Sequence, residues 1–198
     1  MKIFLIRHTE SVADITNTYE GIADFDLTDM GRADAQKCAE RLLNAGIQKV
    51  ITSPYKRAKG VAAILCMKFG IPMEIANEIR EINANGIMSG VNRELASDIF
   101  AMQLADENYF PFGYYLGKSF MGGEDVAEFD TRVCNGFTRI AKQPYQTIAV
   151  VTHGGVIRSV YKNLLNRSNE ITEIADAATV EIDVADGVFK LVTSRGIK

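Results

Sequence analysis

The chain has only two histidines, His8 and His153, and each closes an aliphatic run. Within MKIFLIRHTES at 1–11 and TIAVVTHGGVIRSV at 147–160, Met1–Ile6 and Thr147–Thr152 both read as buried strands, short, β-branched-rich and without charge after Lys2. In an open parallel sheet, ligands sit in the crevice outside the carboxyl ends of the strands. Both imidazoles are expected to emerge there. Imidazole can transfer a proton, donate to an anion or act as a nucleophile. A single strand-end histidine is most simply a hydrogen-bonded core side chain. Two of them, one preceded by Arg7 and the other followed by Gly154-Gly155 opening a helix, point instead to one site.

Six segments follow one another in order: RHTES at 7–11, EGIADFDLTDMGRADA at 20–35, SPYKRAKGVA at 53–62, REIN at 80–83, GGED at 122–125 and THGGVIR at 152–158. In these the chain resembles the histidine phosphatase (phosphoglycerate mutase-like) superfamily, in the branch with RHG near the start and HGG near the end. Each motif is weak alone; six in order at plausible spacing are specific. The resemblance runs through most of the chain and implies a phosphomonoester hydrolase working through a phosphohistidine on a small phosphorylated substrate.

Such chemistry needs a nucleophile, neutralisation of three equatorial oxygens and a proton for the leaving oxygen. By the resemblance, His8 is the nucleophile, its other ring nitrogen donating to a carbonyl to hold the tautomer. Arg7 and Arg57 supply planar forks matched to phosphate oxygens. His153 binds the phosphoryl group as a donor, with backbone N–H groups where Gly154-Gly155 opens a helix, whose start favours an anion. Glu81, after the third strand, matches the family's acid, with Glu78 and Glu124 as open alternatives. No acidic cluster suggests a metal, and no cofactor is implied. The family's other branch has an aspartate after the second histidine, where this chain has Gly154.

Several positions depart from the family's pattern. Thr9 replaces the usual glycine, and a β-branched residue is costly if that position needs positive φ. Asp14 and Glu20, both assigned to substrate binding, stand where an asparagine and a glutamine are usual, and Asp26 replaces a proline. Two carboxylates facing a phosphate would repel it unless protonated or turned away. REINANGIMSG holds one extra residue and lacks the family's aromatic positions.

These residues must be positioned by the rest of the chain. At 198 residues a single domain over 1–198 is expected, able to bury a full core. Thr28 caps a helix over 29–45 closed by Gly46. KVITS at 49–53 is a second strand, Pro54 begins a helix to Phe69, and PMEIAN is a third strand. Helices are expected over 91–106, 124–142 and 155–166. Between the first two of these, six aromatics from Tyr109 to Phe120 suggest a satellite core, a dimer patch or a lid. TVEIDVADGVFKLVTS turns at Ala185-Asp186-Gly187 as a β-hairpin. The alternation predicts an α/β fold, a doubly wound, mostly parallel sheet with helices on both faces (three-layer αβα) and a C-terminal hairpin.

Hydrophobic content of 47% and charged content of 24% describe an ordinary globular chain, and a net charge of −3 offers no general attraction to nucleic acid or membrane. Cys38, Cys66 and Cys134 lack metal-site spacing and read as free thiols of a reducing compartment, so the expected location is cytoplasmic. The apolar start is too short for a signal core or a membrane span. The expected partner is a small phosphate ester or inorganic phosphate. Family members often form homodimers, though no stripe here marks an interface. Two other functions remain open: a phosphoglycerate mutase, which lacks here the family's longer insertion and Asn-Glu-Arg stretch, and a non-catalytic phospho-ligand binder, suggested by Thr9, Asp14 and Glu20.

Overall fold

A computed structural model of the chain describes residues 1–97, 122–168 and 170–198. Six strands form one sheet: β1 (Lys2–Arg7), β2 (Lys49–Thr52), β3 (Met73–Ile75), β4 (Thr147–Thr152), β5 (Ile174–Ala185) and β6 (Val188–Ile197), in the order β3-β2-β4-β1-β5-β6. The four strands on the β3 side are mutually parallel, and β5 and β6 join antiparallel beyond β1. The two histidine-bearing strands are neighbours, paired from Lys2 against Thr147 to Arg7 against Thr152. Identical register carries Arg7-His8 and Thr152-His153 off the same sheet edge side by side.

Side chains alternate between the faces of each strand, and the sheet has a core on both. Phe4, Ile6, Val50, Ala149 and Val151 pack under helices α2 (Asp29–Arg41) and α3 (Lys56–Phe69). Ile3, Leu5, Ile51, Ile148 and Val150 pack under α4 (Val126–Ile140) and α5 (Gly154–Asn163). This is the expected three-layer α/β arrangement, with Phe129, Val133, Phe137 and Ile140 forming the apolar stripe of α4.

The element ends differ in detail from the sequence reading. Thr28 caps α2 by accepting from the Gly31 N–H, but the regular helix stops at Arg41, with Gly46 at φ +69° beyond it. Pro54 precedes the cap residue Tyr55 instead of beginning α3, which ends on left-handed Gly70. The hairpin turns at Asp186 (φ 50°) and Gly187 (φ 77°), the backbone pair a two-residue loop requires, and β5 starts earlier than expected. The segment 9–28 contains a short helix, α1 (Val12–Ile15), and is pinned by a Ser11–Leu27 bridge. Glu81 is flanked by 3₁₀ turns at Asn77–Ile79 and Gly86–Met88. Of the helix expected over 91–106, residues 93–97 are helical and Asn92 instead bridges to Thr18; 98–106 and the aromatic run 109–120 lie outside the described residues. Among those described, no helix is long and apolar enough to cross a membrane.

Candidate active site

His8, Arg57 and His153 are almost wholly buried, at 2%, 0% and 0% exposure. Burying an unpaired charge is costly, so groups of this kind are found in such places when something compensates them. The imidazoles meet edge to face with ring centres 5.1 Å apart. His8 Nδ1 lies 2.9 Å from the Thr9 carbonyl, which takes its N–H and leaves Nε2 with the lone pair. Burial, then the charges of Arg57 and Arg7, push the His8 pKa down to about 3. The same causes, with His8 itself, hold His153 well below the ordinary value. Both rings are therefore neutral at physiological pH.

His153 Nε2 pairs with Ser53 Oγ at 2.7 Å. With that hydroxyl donating, the proton of His153 sits on Nδ1. Arg57 rises from the first turn of α3 and gives its two terminal nitrogens to the carbonyls of Ala23 (3.0 Å) and Gly21 (3.2 Å). Arg7 donates Nη1 to the Ile174 carbonyl and lies 3.5 Å from Asp176. Each guanidinium is thus clamped at its tip. What remains is a set of three buried nitrogens, Arg7 Nε, Arg57 Nε and His153 Nδ1, without a hydrogen-bond partner among the described residues. Unsatisfied buried polar atoms are rare, and three such nitrogens beside one neutral imidazole form an arrangement that can hold an anion.

Glu81 sits in the loop after β3 with one carboxyl oxygen accepting from Ile82 N–H (2.9 Å) and the other from Gly155 N–H (3.0 Å). Burial pushes its pKa above the usual carboxylate range, against the pull of those two N–H groups. The close approach depends on Gly155: a Cβ there would stand 2.3 Å from Glu81 Oε1. This N–H at the start of α5, one of those expected to face a phosphate, is spent on Glu81. The alternative acids are engaged elsewhere. The hydrogen bond from Arg139 holds Glu78 below the usual range, and Glu124, although burial raises it, is drawn lower by Arg132 and Arg80.

The departures from the family pattern resolve one by one. Thr9 is not at positive φ; its hydroxyl donates to the Gly31 carbonyl and ties β1 to α2. Asp26 pairs with Arg32 at 2.9 Å on the surface. Asp14 turns to Ser11, accepting from its N–H (2.7 Å) and its hydroxyl (3.0 Å). Glu20 does not turn away. One of its oxygens lies 3.7 Å from His8 Nε2 and 3.5 Å from Arg57 Nε, and the other accepts from Ser11 Oγ at 2.5 Å.

In front of the buried groups lies a polar cavity of about 420 Å³ whose walls include Arg7, Asp14, Glu20, Glu81, Gly154, Arg93 and Arg158. Gly154 leaves room beside Arg7, whose Nε would lie 3.9 Å from a Cβ there.

Two residues of the site escaped the sequence reading. Ser53 stands at the end of β2, as His8 and His153 stand at the ends of β1 and β4, so strand-end position was its signal. Arg132 on α4 donates to the carbonyls of Glu78, Arg80 and Glu81 and binds Glu124, holding the acid's loop in place. Nothing in its sequence neighbourhood marks it.

A family model described as histidine phosphatase superfamily (branch 1) matches residues 3–195. Phosphoglycerate mutase-like protein 4 of Arabidopsis thaliana is 29% identical over 94% of this chain and 80% of its own. The adenosylcobalamin/alpha-ribazole phosphatase of Escherichia coli is 29% identical over 86% of this chain and 82% of its own. Among solved structures, Bacillus stearothermophilus YhfR superposes with a TM-score of 0.82 at 21% identity, covering 97% of this chain and 95% of that one.

Proposed function

The chain belongs to the histidine phosphatase superfamily, branch 1, and on that premise we propose that it hydrolyses a small phosphate monoester through a phosphohistidine at His8. One observation carries this reading: Arg7 Nε, Arg57 Nε and His153 Nδ1 are buried and lack a hydrogen-bond partner among the described residues, beside a neutral imidazole.

In the first step His8 Nε2 attacks phosphorus, the P–N bond forms and the bond to the leaving oxygen breaks. Arg7, Arg57 and His153 hold the phosphoryl oxygens as their charge redistributes. Glu81, whose pKa burial raises, gives a proton to the leaving oxygen when it acts as the acid. In the second step the resulting Glu81 carboxylate takes a proton from water, whose oxygen attacks phosphorus and breaks the P–N bond. Inorganic phosphate leaves, and His8 and Glu81 return to their starting forms. The arginines and His153 supply the charge stabilisation, so the proposal includes no metal. Three free thiols, Cys38, Cys66 and Cys134, fit a cytoplasmic setting.

His8→Ala is expected to abolish both turnover of an aryl phosphate and the acid-labile phosphoenzyme seen on rapid quench. Unchanged turnover in that variant overturns the reading. The mutase alternative predicts isomerisation of 3-phosphoglycerate without phosphate release, and the binding alternative predicts ligand-dependent stabilisation with no turnover in the wild type.

A further inference from the structure

We propose that Glu20 is a built-in competitor of the phosphoryl group: its carboxylate occupies the anion pocket of the free protein and must be displaced or neutralised before substrate binds. The proposal deepens the hydrolase reading above and rests on the same pocket.

Three observations place it. A single oxygen of Glu20 is shared between His8 Nε2 (3.7 Å) and Arg57 Nε (3.5 Å), the nucleophile and a phosphate donor. Those distances exceed hydrogen-bond length, so the carboxylate compensates the Arg57 charge without satisfying its donor. Glu20 also lines the open cavity, whereas His8 and Arg57 lie behind it with 2% and 0% exposure. An incoming phosphoryl group therefore meets Glu20 on its way to Nε2.

The second oxygen of Glu20 is held by the Ser11 hydroxyl, which also bonds Asp14 and has one proton for two carboxylates, so Asp14 competes for this tether. The charged and titratable groups around Glu20 are His8 from β1, Asp14 from α1, Arg57 from α3 and Glu81 across the cavity, with Arg7, Arg93 and Arg158 also on the cavity wall. A dianion entering beside an ionised Glu20 brings like charges together. Moving Glu20 away removes that repulsion.

The test measures sulfate binding by calorimetry at pH 7.5 for the wild type and for Glu20→Gln. The readout is the ratio of the two affinities. The variant is expected to bind about tenfold tighter, a modest share of the repulsion between unit charges a few ångströms apart. A ratio of one or less overturns the proposal. Glu20→Ala provides a second variant if Glu20→Gln fails to give a native circular dichroism spectrum, and folded variants that bind no sulfate also overturn it. An aryl-phosphate assay on the same samples separates the two readings. The expected sulfate ratio without turnover would sink the hydrolase and spare the competitor; turnover with a ratio of one or less would do the reverse.

Discussion

Ser53 Oγ lies 2.7 Å from Nε2 of His153, joining the carboxyl ends of β2 and β4 across 100 residues of sequence. With the Ser53 hydroxyl donating, this hydrogen bond leaves the proton of His153 on Nδ1. Ser53→Ala releases the tautomer and leaves a buried ring nitrogen unpaired, a loss of about 1–3 kcal/mol. The expected result is a fall in kcat/KM of about tenfold or more with a native circular dichroism spectrum. Ser53→Thr, which keeps the hydroxyl, should restore part of it.

Gly155 and Gly154 are neighbours with opposite tolerance. A Cβ on Gly155 meets Glu81 Oε1 at 2.3 Å, whereas on Gly154 it meets Arg7 Nε at an ordinary 3.9 Å. Gly155→Ala should push Glu81 out of place and lower kcat about a hundredfold or more for an alkyl phosphate. The loss should be smaller for p-nitrophenyl phosphate, whose leaving group needs little protonation. Gly154→Ala should fall far less. Equal losses for the two leaving groups in Gly155→Ala would remove Glu81 from the acid role.

Arg132 ties the loop of Glu81 to α4 through three carbonyls and the Glu124 carboxylate. Arg132→Ala leaves Glu124 half-buried without its main partner, and a destabilisation of about 3 kcal/mol in urea unfolding is expected. Turnover should drop with it. Lysine cannot reproduce a planar fork bonded to several acceptors at once, so Arg132→Lys should recover little of either.

Stability should fall on the acid side of neutrality. His8 and His153 have native pKa values below the unfolded 6.5, so under that pH the unfolded chain binds protons that the native protein does not. Their contribution is fully present above pH 6.5 and is lost as pH falls toward the native values. The slope is up to about 1.4 kcal/mol per pH unit for each histidine. Glu81 has the opposite sign: its pKa is raised, so its contribution is present below 4.5 and is lost as pH rises through the native value. Denaturant midpoints between pH 7 and pH 4 should therefore show a shallower decline in His8→Gln and in His153→Gln. A slope unchanged in both would contradict neutral burial of these rings.

How much of this was readable beforehand depends on what kind of fact it is. The juxtaposition of His8 and His153 follows from strand patterning, since two aliphatic runs in one parallel sheet end at one edge. The hairpin was readable because Asp186-Gly187 is a backbone requirement written in residue types. Helix starts were less so: Pro54 suits a first helical position, yet Tyr55 takes the cap and the helix begins at Lys56. Side-chain direction was not readable at all. Asp14 and Glu20 looked alike as carboxylates in place of amides, and the Ser11 N–H captures one while the other faces Arg57. Nor could Arg132 be found, because its value comes from the packing of α4 against a loop about 50 positions earlier.

The carbonyl that holds Arg7 belongs to Ile174, the first residue of β5. That strand pairs directly with β1. On the ribosome, Arg7 is made 167 residues before the carbonyl that locks it. Anion affinity is consequently acquired only once β5 has been made, and nascent chains halted ahead of Ile174 should carry His8 and Arg7 without the grip to use them.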